Sequence, residues 1–357
     1  MVQLVKTSRS HRENREFKSH WAHQQNDQMK FKKLIVLDKH TFSEKQQEEL
    51  KKLAEKFEIY NDIPQTNQEI IKRIGNSDGV IVNWTSLGKE VFDACKDIKY
   101  IGVVATGYGW LDVPYAVKKD IVVTNVPAYS TESVAELVFG QLISLMRKTH
   151  EAETITRSGK FEQTGLQGRE LQGKTIGIVG LGNIGKRVAE IAQAFGMNVI
   201  YWNRTRKPDF ENKGIKYSDL EDLFRQSDIV TVHLASTPET RELVGEKHFS
   251  KLKERSIFVN MASGDVIDEN ALIKFLEKGK IKAIFDVYEN HKPKETFIKN
   301  KNMLLTPEIG FFTEESLNRL NDIAIENARS YLEGKIQNKV ATAIRQDEKE
   351  QEKIEDY

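Results

Sequence analysis

The segment TIGIVGLGNIGKRVAEIAQAFG, residues 175–196, constrains this chain more than any other. An apolar run leads into Gly180-x-Gly182-x-x-Gly185. An amphipathic stretch follows, Gly196 stands where that helix should stop, and another apolar run begins by 198. Strand, glycine turn, helix and strand form a βαβ unit built to hold a dinucleotide. Gly180 permits the tight turn, Gly182 lets backbone amides approach a pyrophosphate, and Gly185 lets the helix pack on the strand. The helix N-terminus offers its positive end to the phosphates.

The rest of the chain repeats this alternation. Strands are predicted at 34–38, 79–83, 100–106 and 121–127, and after a long helix (130–148) at 175–180, 198–202, 228–234, 256–262, 283–288 and 303–307. A helix is predicted over 43–57 with Ser43 as N-cap, and a last one over 314–334. The apolar runs are continuous, so the strands are covered on both faces, as in parallel sheets wrapped by helices. The expected fold is α/β with two doubly wound Rossmann-like domains. A ligand is expected in the cleft at the C-terminal ends of the strands.

Composition closes off other classes. Lys+Arg (54) and Asp+Glu (53) nearly cancel over 357 residues, leaving +1 and no global field for nucleic acid or a membrane surface. The longest apolar stretch, 137–146, falls well short of the roughly 20 residues of a membrane span. The single cysteine, Cys95, excludes an internal disulfide or a Cys-rich zinc site, reads as a buried helix residue, and favours a reducing cytoplasm. Residues 1–30 read as a disordered tail without a signal peptide, Met29 as the start of the folded part, and 337–357 as a charged tail. His11, His20 and His23 lack a carboxylate or thiol at matching spacing, so no metal site is expected.

The second strand of the βαβ unit ends in YWNRTRKP. An acidic residue there would bind the ribose 2′-hydroxyl of NAD. Asn203 holds that place, followed by Arg204, Thr205, Arg206 and Lys207. Losing the carboxylate and gaining guanidinium groups favours a 2′-phosphate, hence NADP(H) over NAD(H).

Several motifs in order resemble the D-isomer-specific 2-hydroxyacid dehydrogenase family: VTNVPAYSTESVAEL (122–137), ELQGKTIGIVGLGNIGKRVAE (170–190), SDIVTVHLASTPETREL (227–243), FVNMASGDVIDENAL (258–272), DVYENHKP (286–293) and LLTPEIG (304–310). NVPAYSTESVAE is most similar to the glyoxylate/hydroxypyruvate reductase branch. The resemblance implies a substrate domain split between 31–128 and 308–336, a nucleotide domain over 129–307, and a homodimer acting on a small-molecule substrate. It implies cofactor contacts from Gly180, Gly182, Asn183, Ile184, Gly185, Asn203, Arg204 and Thr205. His233 would line the adenosine side and Asp286 the nicotinamide, with Thr240 and Met261 completing the set.

The family's chemistry uses an Arg in N-x-x-R-G, a Glu five residues past the Asp of the DV motif, and a His after Thr/Ser-Pro. None is kept here. Ser263 stands at the Arg position, His291 at the Glu position and Glu308 at the His position. The carboxylate and the imidazole are exchanged. The pair can still relay a proton with Glu308 toward the substrate, an acid role that asks for burial of Glu308. The alternative is drift in a site that only binds. A Ser hydroxyl cannot give a carboxylate the charged, bidentate grip of Arg, so a neutral or larger carbonyl, or an imine, suits the site better than a simple 2-oxo acid.

In the predicted substrate loop, Thr106, Gly107 and Tyr108 would seat the substrate. Trp84 and Trp110 would either line its mouth or simply pack. Two functions follow from these residues: an NAD(P)-dependent oxidoreductase with an atypical site, or a catalytically silent nucleotide-binding protein that senses cofactor.

Overall fold

Short β-branched runs between capped helices become parallel strands in the computed structural model, which describes residues 29–340. They are β1 Phe31–Val36, β2 Ala54–Ile59, β3 Gly79–Val82, β4 Tyr100–Val103, β5 Val122–Thr124, β6 Thr175–Val179, β7 Asn198–Trp202, β8 Lys216–Tyr217, β9 Ile229–Val232, β10 Ile257–Asn260, β11 Lys282–Phe285 and β12 Met303–Leu305. One sheet has the order β2-β1-β3-β4-β5 and the other β12-β11-β10-β9-β6-β7-β8, all pairs parallel. The chain divides into two compact units. Ser130–Leu317 carries the seven-stranded sheet, and the segments up to Tyr129 and from Asn318 carry the five-stranded one.

Every residue of β3, β4, β9 and β10 is buried, as continuous apolar runs covered on both faces should be. In the five-stranded unit, Ile35, Val80, Ile101 and Val123 share one core cluster at zero exposure. Each such side chain contributes about 1.5–3 kcal/mol on burial. In the seven-stranded unit the strand order reverses at β6, whose C-terminal end runs into Gly180. Such a switch point opens the crevice where ligands bind.

Several expectations need correction. The helix expected over 43–57 runs only Glu44–Lys52, with Ser43 as the expected N-cap, here in a capping box with Gln46. The following AEKFEI is strand β2, at the sheet edge. Its charged text reads as helix, yet only one face needs covering at an edge, so alternation suffices. Strands expected to reach 106, 262 and 307 stop at Val103, Asn260 and Leu305. The apolar residues beyond them line turns instead. The helix expected over 130–148 spans Thr131–Arg147, and Lys148, at φ 54°, turns the chain into a second helix, Thr149–Arg157. The last helix is Glu314–Leu332. Residues 308–317 fall with the seven-stranded unit, not with the split domain. His11, His20 and His23 and the C-terminal charge run from 341 lie outside the described residues.

Candidate active site

The glycine turn after β6 leaves no room for side chains at Gly180 and Gly185. Gly180 has φ 98°, and a Cβ there would lie 2.7 Å from the His233 carbonyl oxygen. A Cβ on Gly185 would lie 2.1 Å from the Gly180 carbonyl oxygen. Gly182 is the N-cap of the Asn183–Ala194 helix and gives it no side-chain cap. The first amides of that helix are therefore open to an anion, and the cradle fits a dinucleotide pyrophosphate. Asn183 is exposed, while Ile184 packs on the core behind the turn.

The next turn is tied to this one. Asn203 Oδ1 accepts the Leu181 N–H at 3.1 Å, and its Nδ2 donates to the Thr205 carbonyl at 2.8 Å. The cations that follow are not equivalent. Arg206 Nε donates to Glu211 at 3.1 Å, and its guanidinium lies 4.8 Å over the Tyr217 ring. Arg204 is exposed and makes no ion pair among the described residues, its charge reaching Glu239 only through space. It is the arginine free to meet a phosphate. Farther along the strand ends, His233 Nε2 lies 2.9 Å from Thr231 Oγ1, and burial lowers its pKa to about 3, so the ring is neutral. Thr240 Oγ1 donates to the Ala235 carbonyl at 2.7 Å, and Met261 is buried beyond β10.

The ends of β10, β11 and β12 bring the exchanged residues together. Asn260, fully buried, uses its Nδ2 to hold the Ala262 and Val287 carbonyls. Ser263 caps a short 3-10 turn, 264–266, that abuts a second one, 289–291: a Cβ on Gly264 would lie 1.9 Å from Glu289 N. Asp265 accepts from Ser236 at 2.6 Å. Against burial, which pushes its carboxyl up, hydrogen bonds from Ser236 and Ser263 and the Arg241 charge hold it below the usual range.

Asp286, 3% exposed, spends its carboxylate on the next turn. Oδ1 accepts from Thr306 Oγ1 (2.6 Å) and Ile309 N (2.9 Å), and Oδ2 accepts from Gly310 N (2.8 Å). Its known partners are thus protein groups of the turn that carries Glu308. Tyr288 ties the same turns by donating to the Thr306 carbonyl at 2.8 Å, and burial pushes its hydroxyl up to about 12. Between them, His291 Nδ1 lies 2.9 Å from Glu308 Oε2. Both residues hold positive φ, 53° and 56°. The side chains are 79% and 42% exposed, so the burial that an acid role asks of Glu308 is absent. A cavity of about 280 Å³ opens beside them, walled by Tyr288, Pro293, Leu305 and Pro307.

In the other unit, Asp38 is fully buried and accepts the N–H groups of Asn83, Trp84 and Thr85 at 3.0, 2.8 and 2.7 Å. This clasp presents Trp84, 57% exposed, on the loop after β3. Ser86 Oγ donates to the Trp110 carbonyl at 2.7 Å, joining that loop to the one bearing Thr106, Gly107 and Tyr108. Thr106 Oγ1 donates to Val126 O at 2.9 Å, Gly107 is exposed, and Tyr108 packs on the core. Cys95 is buried at the C-cap of the Lys89–Ala94 helix. Among the described residues no cluster of His, Cys, Asp or Glu could hold a metal, and no helix is long and apolar enough to cross a membrane.

A glycine cradle at the switch point of a parallel sheet, with an imidazole–carboxylate contact at the ends of strands in the same sheet, points to a dinucleotide-dependent oxidoreductase. Residues 139–310 match the family model for the D-isomer specific 2-hydroxyacid dehydrogenase, NAD binding domain. The chain is 35% identical over 276 residues to a hydroxypyruvate reductase of Blautia hydrogenotrophica, covering 75% of this chain and 86% of the relative. It is 35% identical over 300 residues to a glyoxylate reductase of Thermococcus litoralis, covering 80% and 91%. Among solved structures it is similar to an acyclic imino acid reductase, Bsp5, in complex with NADPH and D-Arg, at TM-score 0.79 and 32% identity over 86% of this chain and 99% of that one. The chain belongs to the D-isomer-specific 2-hydroxyacid dehydrogenase family and is an NAD(P)-dependent oxidoreductase acting on CH–OH or C=O groups.

Proposed function

We propose that this protein is an NADPH-dependent reductase whose substrate is a neutral carbonyl compound or an imine, not a simple 2-oxo acid. The observation that carries this reading is the 2.9 Å contact of His291 Nδ1 with Glu308 Oε2. Two independent losses would have no reason to leave a carboxylate and an imidazole in register. Ser263 supports the same reading, because a hydroxyl offers no counter-charge to a substrate carboxylate.

When bound, NADPH supplies the hydride. Glu308 faces the reacting group and His291 stands behind it. An exposed carboxylate lacks the burial that an acid role asks for, which suits holding a protonated C=N group better than donating a proton to a ketone oxygen. The likeness to an imino acid reductase in complex with NADPH supports both the imine and the cofactor. Ser263 would shape the substrate's far side. Arg204 would take the 2′-phosphate. Asn183, Thr205, Thr240, Met261 and Asp286 complete the proposed cofactor set with the glycines, His233 and Asn203. The homodimer is part of the same proposal, tested by sedimentation. The relatives, all named as enzymes of this chemistry, do not favour a silent cofactor sensor.

The test is NADPH oxidation over a panel of 2-oxo acids, neutral ketones and aldehydes, and imines formed from a neutral ketone or aldehyde with ammonia or methylamine. Turnover of the neutral or imine set, abolished by Glu308→Gln, is expected. Efficient reduction of glyoxylate or pyruvate alone, untouched by Glu308→Gln, would overturn the reading.

A further inference from the structure

The turn that carries His291 has an anchor outside the pair itself. Glu269, first residue of the Glu269–Glu277 helix, is 2% exposed. That helix already has its cap in Asp268, whose Oδ1 accepts the Ala271 N–H at 2.9 Å. Helix capping therefore does not explain a buried carboxylate at 269. Burying a carboxylate is costly unless it is paired and hydrogen-bonded, and both of its partners lie on the His291 segment.

Glu269 Oε1 accepts the backbone N–H of Glu289 at 3.1 Å. Its Oε2 stands 3.2 Å from Lys294 Nζ, an ion pair without hydrogen-bond alignment, and the same ammonium donates to Asn270 Oδ1 at 3.1 Å. The two contacts grip the chain on either side of a turn in which Asn290 and His291 have φ of 56° and 53°. Neither residue is glycine, and consecutive left-handed residues persist only where their surroundings hold them. Gly264 also lets the neighbouring turn close directly onto Glu289.

We infer that Glu269, through Glu289 N and Lys294, is a positioning residue that sets the turn delivering His291 to Glu308. This rests on the reading of His291 and Glu308 as the working pair. It adds a residue that touches neither substrate nor cofactor yet fixes where the imidazole stands.

The test needs no substrate. In protein labelled with ¹⁵N-histidine, the His291 ring signal is assigned by its loss in His291→Asn. Its response to Glu308→Gln is then read in three backgrounds: wild type, Glu269→Gln and Glu269→Leu. Gln keeps the acceptor for Glu289 N and loses the ion pair; Leu loses both. The response is expected to be clear in wild type, weakened in Glu269→Gln and absent in Glu269→Leu. If the Leu variant does not fold, the Gln background still decides. An equal response in every folded background overturns the inference while leaving the pair intact. No response in wild type sinks the pair, and this inference with it. On a substrate found by the panel, kcat in Glu269→Leu is expected to fall roughly tenfold, with NADPH affinity within about twofold of wild type. A purely structural role would weaken both together.

Discussion

His291 Nδ1 and Glu308 Oε2 lie 2.9 Å apart on turns that follow adjacent strands, each residue in the left-handed backbone region. Under the proposed reading, this contact is the family's carboxylate–imidazole pair in exchanged order. If the pair works, Glu308→Gln and His291→Asn should each lower NADPH-dependent turnover about 10²–10⁴-fold. The triple variant Ser263→Arg/His291→Glu/Glu308→His should reduce glyoxylate faster than the parent. Steady-state kinetics on glyoxylate and on the best neutral or imine substrate would check both. A triple variant that folds, binds NADPH and is no faster on glyoxylate would count against the assignment of Ser263.

The proposed cofactor preference rests on Arg204 and not on its neighbour Arg206. Arg206 is engaged with Glu211 and Tyr217, whereas Arg204 is free to meet a phosphate. NADPH is expected to bind roughly tenfold or more tighter than NADH, on the scale of a charged phosphate contact. Arg204→Ala should remove that gap, and Arg206→Ala should change it much less. Fluorescence titration with both cofactors decides; equal affinities in the parent would end the NADP assignment.

Asp286 holds three donors of the turn bearing Glu308 and has almost no exposure. In Asp286→Ala those donors lose their acceptor, at about 1–3 kcal/mol for each one left buried and unpaired. A loss of about 3 kcal/mol or more in urea unfolding is expected, together with lower turnover. A stability change below about 1 kcal/mol would mean that the turn finds other acceptors.

The parts of this fold legible in the sequence were those whose pattern repeats one physical rule. Continuous apolar runs gave the buried strands, and the glycine spacing gave the cradle, where Gly180 and Gly185 leave no space for a Cβ. What stayed hidden depended on partners far along the chain. AEKFEI looks helical until β1 is known to pair with it. Glu269 looks like an ordinary first-turn acid until Glu289 and Lys294 are seen against it. Asp38 carries no signal that three amides 45–47 residues away converge on it. The reversed pair was readable only by comparison with the family's motif, and its exposure was not readable at all.

Acid stability should report two neutral histidines, His248 buried and His233 half-buried. His248 is 1% exposed and accepts the Gly245 N–H on Nδ1 at 3.2 Å, a bond that needs that nitrogen unprotonated. Burial lowers its pKa from 6.5 to about 4, and lowers that of His233 to about 3. Both folded values lie below the unfolded one, so the unfolded chain takes up protons first as pH falls. Stability from these groups is fully present above about pH 6.5 and drains away toward pH 3–4. At pH 5 His248 alone should have cost about 2 kcal/mol relative to pH 7. Urea unfolding at both pH values, on the parent and on His248→Asn, isolates the effect. The variant should be less stable than the parent at pH 7 and lose less on acidification. An identical loss in parent and variant would mean that His248 takes its proton in the folded state too.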